Sequence, residues 1–437
     1  MTQDAEPTDT TTSPAAPTPV PDAAAPPLEK ASAGYIVSMM AANFGVAMAY
    51  VVPISYSLAV RIDELAPGRE EVLGYVTGTA QFIFIALSPL IGVWSDRTRT
   101  RLGRRRPFLI AGGLLGLAAL GGIAVAPNLL LVGAGWVLAM LGWAAASQAI
   151  LTMQADRIPE EQRGRISGLT GFTGQAAPII GVLIVSGVSE STTLVFLLPG
   201  VLGVLLLAVF LVVGKEPDSR NLAVGTRVSV RAILASYAFS PRRHPDFAWN
   251  WLGRLIFFTG LYFNTTFSTF FYAQRLDLPV REVAATVASI GILGLVAATL
   301  GAIVGGFLSD RLRRRRLFVL IGALLFVAGA VIEAFAYDFV TLVVGSLLMQ
   351  LAIAAFGAVD QAIVIAVLPD RAEAGRYMAV VQFSQKIPSA LAPLVAPFII
   401  GIGSSGGEQN YTILYLTGAV LALIGGLLVF TRVRSVR

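Results

Sequence analysis

About twelve stretches of this chain are apolar for roughly 20 residues, long enough to cross the hydrocarbon core of a bilayer as a helix. They fall at 34–60, 71–94, 107–126, 129–155, 164–188, 192–213, 247–273, 282–308, 317–336, 339–367, 376–402 and 411–431. A soluble fold cannot carry so many. Only 13% of the 437 residues are charged, against about 25% in soluble domains. The chain is therefore expected to be an all-α polytopic membrane protein. The longest internal polar break, 214–246, separates six spans from six. This predicts two helical bundles, 34–213 and 247–431, joined by a cytoplasmic linker 214–246 and followed by a short tail 432–437. Residues 1–33 are rich in Pro, Ala and Thr and are expected to be a disordered tail, because such a segment cannot bury enough apolar surface to offset the entropy of ordering. No basic region precedes the first apolar run, which is expected to stay as a membrane helix.

Positive charge is dealt out unevenly. Twenty-six of the 32 Lys and Arg residues lie in the tails or in the loops after even-numbered spans. Arg61, Arg69, Arg275 and Arg281 lie at the opposite face, and Arg254 and Lys386 lie inside spans. Cytoplasmic loops concentrate Lys and Arg, so both termini are expected in the cytoplasm of a multi-pass plasma-membrane protein. The net charge of +6 is then a topology signal rather than a nucleic-acid patch.

The chain also repeats. Gly92, Ser95, Asp96 and Arg97 recur as Gly306, Ser309, Asp310 and Arg311, an offset of 214. Gln148-Ala149-Ile150 recurs as Gln361-Ala362-Ile363, offset 213, and Asp156-Arg157 as Asp370-Arg371, offset 214. Recurrence at one offset in corresponding loops predicts two pseudo-symmetric six-helix bundles related by an axis along the membrane normal.

The densest positive charge is "GVWSDRTRTRLGRRRPF", Gly92 to Phe108, which packs six arginines into positions 97–106. Gly-x-x-x-Asp-Arg followed by a basic cluster, between the second and third spans, resembles the signature loop of the major facilitator superfamily. The likeness covers about 34 to 432. The longer form found here, "SDRTRTRLGRRRPF", is similar to the sucrose–proton and glycoside–cation symporter branch. The resemblance implies that this loop is a conformational latch, with Asp96, Arg97, Arg104, Asp310, Arg311, Asp156 and Arg157 in gating. An Asp at such a helix end can also accept hydrogen bonds from a neighbouring helix N-terminus. The competing role for these arginines is topogenesis, which suits Arg313 to Arg316.

Ionisable side chains inside a membrane are expensive and mark function. Asp360, Lys386 and Arg254 are the candidates, with Glu333 nearer an outer end. Asp360 lies ten residues before Asp370 and Lys386 ten after Arg376, so helical rise puts each roughly 15 Å deep. The expected coupling pair is Asp360 with Lys386, and Arg254 is the alternative partner. A static packing bridge is the other role open to such a pair. The neutral residues Asn43, Gln81, Gln148, Gln175, Asn264 and Gln361 could line a substrate cavity or hold helices together.

Two features depart from the sugar-symporter pattern. Leu151 stands where that branch has an Arg a few residues before Ala155-Asp156. "GQAAPIIG", Gly174 to Gly181, partly matches a fifth-span motif of proton-coupled antiporters, with Ala177 in place of Gly. Enzymatic readings lack support: there is no cysteine, one histidine (His244) and no nucleotide-binding loop, so neither cofactor nor metal is expected. The expected function is cation-coupled uptake of a sugar or glycoside, with proton or sodium as the coupling ion and the lipid bilayer as surroundings. A proton-coupled exporter of drugs or metabolites is the alternative, and a transport-inactive receptor or scaffold is a third.

Overall fold

The computed structural model describes residues 30–214, 216, 218–220, 239–370, 373–404 and 409–436. Most of the tail 1–33, much of the linker 214–246, and Arg371 and Arg437 lie outside the described residues. The first bundle consists of α1 (Ala33–Leu65), α2 (Glu71–Arg97), α3 (Arg106–Ala124), α4 (Leu129–Arg157), α5 (Glu160–Ser186) and α6 (Thr192–Val213). The second bundle begins with α7, Pro245–Thr266 continued past a break at Phe267 by Ser268–Leu276. It goes on with α8 (Val280–Leu312), α9 (Arg315–Ala334), α10 (Phe339–Ala366), α11 (Ala374–Ile400) and α12 (Tyr411–Arg432). Side chains of Ser32, Asn128, Ser191, Asp338 and Asn410 accept backbone N–H groups at the starts of α1, α4, α6, α10 and α12. These are short polar residues at the positions where a helix leaves donors unsatisfied. Asp338 lies just outside α10, and the Thr341 hydroxyl and N–H hold its carboxyl below the usual range.

Eleven of these helices are long and apolar enough to span a bilayer, and α7 is not among them. It carries Asn250, Arg254 and Asn264, each no more than 5% exposed. It packs along α12 and α11, so protein rather than lipid covers its polar groups, as a bilayer requires. Elsewhere the surface is apolar: Leu114, Leu130, Val212, Ile303, Phe307 and Phe398 are all more than half exposed, which suits contact with acyl chains.

The same packing recurs in both bundles. α1 lies on α6 as α7 lies on α12, α3 on α4 as α9 on α10, and α2 on α4 as α8 on α10. Close approach needs small residues, since lipid gives helices no hydrophobic drive to associate. A Cβ on Gly260 would sit 2.3 Å from the Gly418 carbonyl oxygen, so only glycine fits the α7–α12 crossing. Between the bundles, α2 packs on α11 and α5 on α8, the exchange a two-fold axis demands. At the α2–α11 seam a Cβ on Gly74 would lie 2.2 Å from the Pro393 carbonyl oxygen.

The sequence offset survives in three dimensions. α1 passes through a π-helical turn at Pro53–Ser57, and α7 breaks at Phe267, 214 residues on. The Thr269 hydroxyl donates to the Ser55 carbonyl. These two residues are also 214 apart, so equivalent positions meet across the pseudo-two-fold axis.

Candidate functional site

Asp360 on α10 forms its ion pair with Arg254 on α7. This corrects the expected pairing with Lys386. The Arg254 Nε also donates to the Ser384 hydroxyl on α11 at 3.0 Å, and its guanidinium lies 5.4 Å from the Phe258 ring centre. Asn250, one turn before Arg254, donates to the other Asp360 oxygen at 3.3 Å. Asp360 is 1% and Arg254 5% exposed. Lys386 sits on the same helix as Ser384 but is only half-buried, and it has no acidic partner among the described residues. Helix rotation decides the matter, because two residues on from Ser384 points about 200° around the helix. Asn250 and Ser384 were not singled out in the sequence. The only signal for Asn250 was its place one turn from Arg254 on the least apolar helix.

The first bundle holds the same arrangement without charge. At the offset of 214, Arg254 corresponds to Met40 and Ser384 to Thr170; at 213, Asp360 corresponds to Ser147. The Thr170 hydroxyl lies 3.8 Å from the Met40 sulfur, just as Ser384 lies against Arg254. The Thr170–Met40 contact is thus the neutral counterpart of the Ser384–Arg254 bond, and the first bundle has no charge at the positions of Arg254 and Asp360.

The neutral candidates divide by burial. Asn43 is buried and donates to the Thr170 carbonyl at 3.2 Å and the Thr173 hydroxyl at 2.8 Å, tying α1 to α5. Asn264 is buried against Gly418 and Met349. Gln81 is half-buried, while Gln148, Gln175 and Gln361 are exposed. Gln148 lines a small pocket of about 130 Å³ beside Asp96 and Arg105.

In the arginine-rich loop the central residue is Arg105. It is 5% exposed, pairs with Asp96 at 2.7 Å and Asp156 at 3.6 Å, and donates to the Ser95 hydroxyl at 2.8 Å. Arg104 reaches Asp156 only at 3.9 Å. Arg97 and Arg311 are exposed, and the Arg157 guanidinium lies 5.9 Å from the Tyr35 ring centre. The expectation that Asp96 accepts from a helix N-terminus is corrected: Glu216 does so, taking the N–H groups of Arg105 and Arg106 at 3.0 and 3.2 Å. In the second bundle Asp310 pairs with Arg315 at 2.9 Å. Nothing in the sequence distinguished Arg105 from its neighbours, since burial within a run of arginines follows from the loop's path.

At the opposite end the bundles are tied together. Arg281 in the first turn of α8 pairs with Glu64 on α1 and donates to the carbonyls of Ser189 and Glu190 at 3.2 and 2.9 Å. The Tyr56 hydroxyl donates to the Arg281 carbonyl at 2.6 Å. The Tyr411 hydroxyl donates to Glu70. Burial pushes the Glu70 carboxyl above the usual range; the Tyr411 bond pulls it back, and Asp63 and Glu71 add to the rise.

The Major Facilitator Superfamily model matches residues 31–304 and 284–437. The chain belongs to the Major Facilitator Superfamily. It is a transporter, not an enzyme. Over 80 residues it is 35% identical to the "Proton-associated sugar transporter A" of Homo sapiens, which is 18% of this chain and 10% of that protein. Over 69 residues it is 35% identical to the "Sucrose transport protein SUT4" of Oryza sativa subsp. indica, 14% of this chain and 11% of the relative. The matched stretches thus span about a tenth of these relatives' length. Among solved structures, the nucleoside transporter NupG superposes with a TM-score of 0.73 at 13% identity, covering 90% of this chain and 97% of that one. A D-xylose-proton symporter gives 0.71 at 15%, covering 92% and 99%. At such identities the likeness to solved structures is one of fold.

Within this superfamily fold the signature loop yields a first prediction. Arg105→Ala removes contacts to two carboxylates that are 63% and 42% exposed. Solvent screens them, so the cost should be about 1 kcal/mol of stability, with a fall in transport rate. Arg104→Ala, whose long contact is partly exposed, should stay within about 0.5 kcal/mol of wild type. Thermal unfolding and transport assays on both variants check this, and equal effects would contradict the assignment.

Proposed function

We propose that this chain is a secondary active transporter that takes up a sugar or glycoside by alternating access, driven by a cation gradient. The carrying observation is the Arg254–Asp360 pair, buried between α7, α10 and α11 and replaced by neutral groups in the other bundle. An ion pair at that depth persists only while both charges are matched. A proton arriving at Asp360 releases Arg254 and gives two packing states of similar energy, the element a coupled carrier needs. The short matches to two sugar transporters support the substrate class.

Orientation follows from charge. The face bearing the Asp96 and Asp310 loops is the cytoplasmic one, with both tails on that side of a plasma membrane. The contacts of Arg281 and Tyr411 then close the outer end, which supports an inward-facing state. The resemblance gives the latch a role in the opposite, outward-open state; here Arg105 and Arg315 pair, among the described residues, only with acids of their own bundle. Gln81, Gln148, Gln175 and Gln361 are the candidates for substrate contact, and Asn43 and Asn264 fix helices.

Purified protein in proteoliposomes, given an inward proton gradient and a panel of radiolabelled mono- and disaccharides, tests the reading. At least one sugar should accumulate, and a protonophore should abolish the accumulation. Persistence without sodium identifies the proton as the driver, and dependence on sodium identifies that ion instead. Gradient-driven efflux of a hydrophobic cation, with no sugar flux, would contradict uptake and establish export.

A further inference from the structure

The two signature loops are built alike, and the comparison exposes a difference. Arg105 pairs with Asp96 as Arg315 pairs with Asp310. Arg106 donates to the Leu211 carbonyl at the end of α6, as Arg316 donates to the Val433 carbonyl at the end of α12. Two residues before each pairing arginine the backbone turns left-handed, at Gly103 (φ 94°) and Arg313 (φ 50°). The registers therefore correspond at an offset of 210 through this loop.

In the first bundle that turn is filled from within. Glu216, three residues past the end of α6, puts one carboxylate oxygen on the N–H groups of Arg105 and Arg106. A Cβ at Gly103 would lie 2.3 Å from the Glu216 carboxyl carbon, so the glycine makes room for the acid. The residue three past the end of α12 is Ser435, which has no charge. Among the described residues no side chain accepts from the N–H groups of Arg315 and Arg316. The nearby acids are engaged: Asp310 by Arg315, and Asp246 by the Ser435 N–H at 2.7 Å. Arg313 and Arg314 are exposed and have no acidic partner among the described residues. In place of the carboxylate there is a cavity of about 1210 Å³, lined by Arg313 to Arg316 and by Ser435. Its other walls are Asp310, Leu312, Leu317, Ala366, Phe430 and Val436; the Asp310 carboxylate is held by Arg315.

We propose that this cavity is a binding site for a phosphate group, supplied by the headgroup of an anionic phospholipid. Arg313 and Arg314, which have no acidic partner among the described residues, and an open helix N-terminus complement a phosphate. The apolar walls favour one that carries acyl chains, and basic pockets at a membrane surface recognise such headgroups. Where the first bundle neutralises its basic turn with its own glutamate, the second takes its anion from the bilayer. A bound lipid would bridge the α8–α9 turn and the chain after α12, fixing that edge of the second bundle.

Native mass spectrometry of the whole protein, with phosphatidic acid or phosphatidylcholine added, tests the site. Wild type should retain phosphatidic acid in preference to phosphatidylcholine. The double variant Arg313→Gln/Arg314→Gln should lose about tenfold or more in apparent affinity. Ser435→Glu, which removes no arginine, should lose a similar amount by supplying the missing carboxylate. Melting temperatures near that of wild type show that either variant is folded, and one folded variant is enough to decide. Equal retention of the two lipids, or phosphatidic acid retained undiminished by the folded variants, would overturn the proposal. If inorganic phosphate alone raises the melting temperature of wild type but not of the variants, and no lipid is retained, the phosphate group stands as ligand and the lipid source is overturned.

Discussion

Arg254→Gln should sharply reduce the yield of folded protein. The substitution leaves Asp360 buried with only Asn250 to hold it, and breaking a buried pair by removing one partner costs about 3–5 kcal/mol. That is a large fraction of the stability of a typical domain. The double variant Arg254→Gln/Asp360→Asn replaces the charges with two amides that can bond each other and should recover most of the yield, because coupled residues are not additive. Lys386→Ala should leave yield near wild type, since Asp360 does not depend on it. Monodisperse yield and melting temperature across the four proteins measure this. A Lys386→Ala loss equal to that of Arg254→Gln would restore the pairing expected from sequence and reject the one described here.

Arg281→Gln should open the other end of the protein. Arg281 joins the bundles through Glu64 on α1 and through two carbonyls between α5 and α6. Hydrogen bonds to charged groups contribute about 1.5–3 kcal/mol each, but the Arg281 side chain is 38% exposed, which screens the pair. A shift of about fivefold or more toward the outward-open state is expected after that discount. The chain has no native cysteine, so spin labels can be placed only where wanted, at Arg69 and Ser404 on loops of opposite bundles at the Arg281 end. The distance distribution should gain a longer component in Arg281→Gln. A distribution identical to wild type would mean that this contact does not help to close the outer end.

Span number, the division into six and six, and the repeat were legible because hydropathy and charge placement are properties of composition along the chain. Asp360 stood out as a candidate because a buried acid in a membrane helix is costly, and it is buried and ion-paired. Its partner was not legible. In a soluble bundle an apolar stripe reveals which way a helix faces. Here lipid and protein interior are both apolar, so apolarity does not say which face of α7 or α11 turns inward, and matching depth on consecutive helices pointed to Lys386. The buried Ser384, two residues away, faces Arg254 instead. The outer contacts were hidden for a different reason. Arg281, Glu64 and Tyr411 are ordinary loop and helix-end residues, and only the folded arrangement of the two bundles brings them together. Glu216 was missed because its role depends on Gly103, whose positive φ no local pattern announced.

The most direct test of the whole account is concentrative uptake by Asp360→Asn in proteoliposomes, beside counterflow of the same substrate. The amide keeps an acceptor for Arg254 but cannot exchange a proton; it also leaves the buried Arg254 charge without its counter-ion, so some yield should be lost and rates are compared per folded protein. Accumulation against a gradient should vanish, while exchange of labelled for unlabelled substrate continues at a rate within about an order of magnitude of wild type, because alternation itself needs no net proton. Concentrative uptake undiminished in Asp360→Asn, per folded protein, would contradict the account and leave the buried pair with a packing role alone.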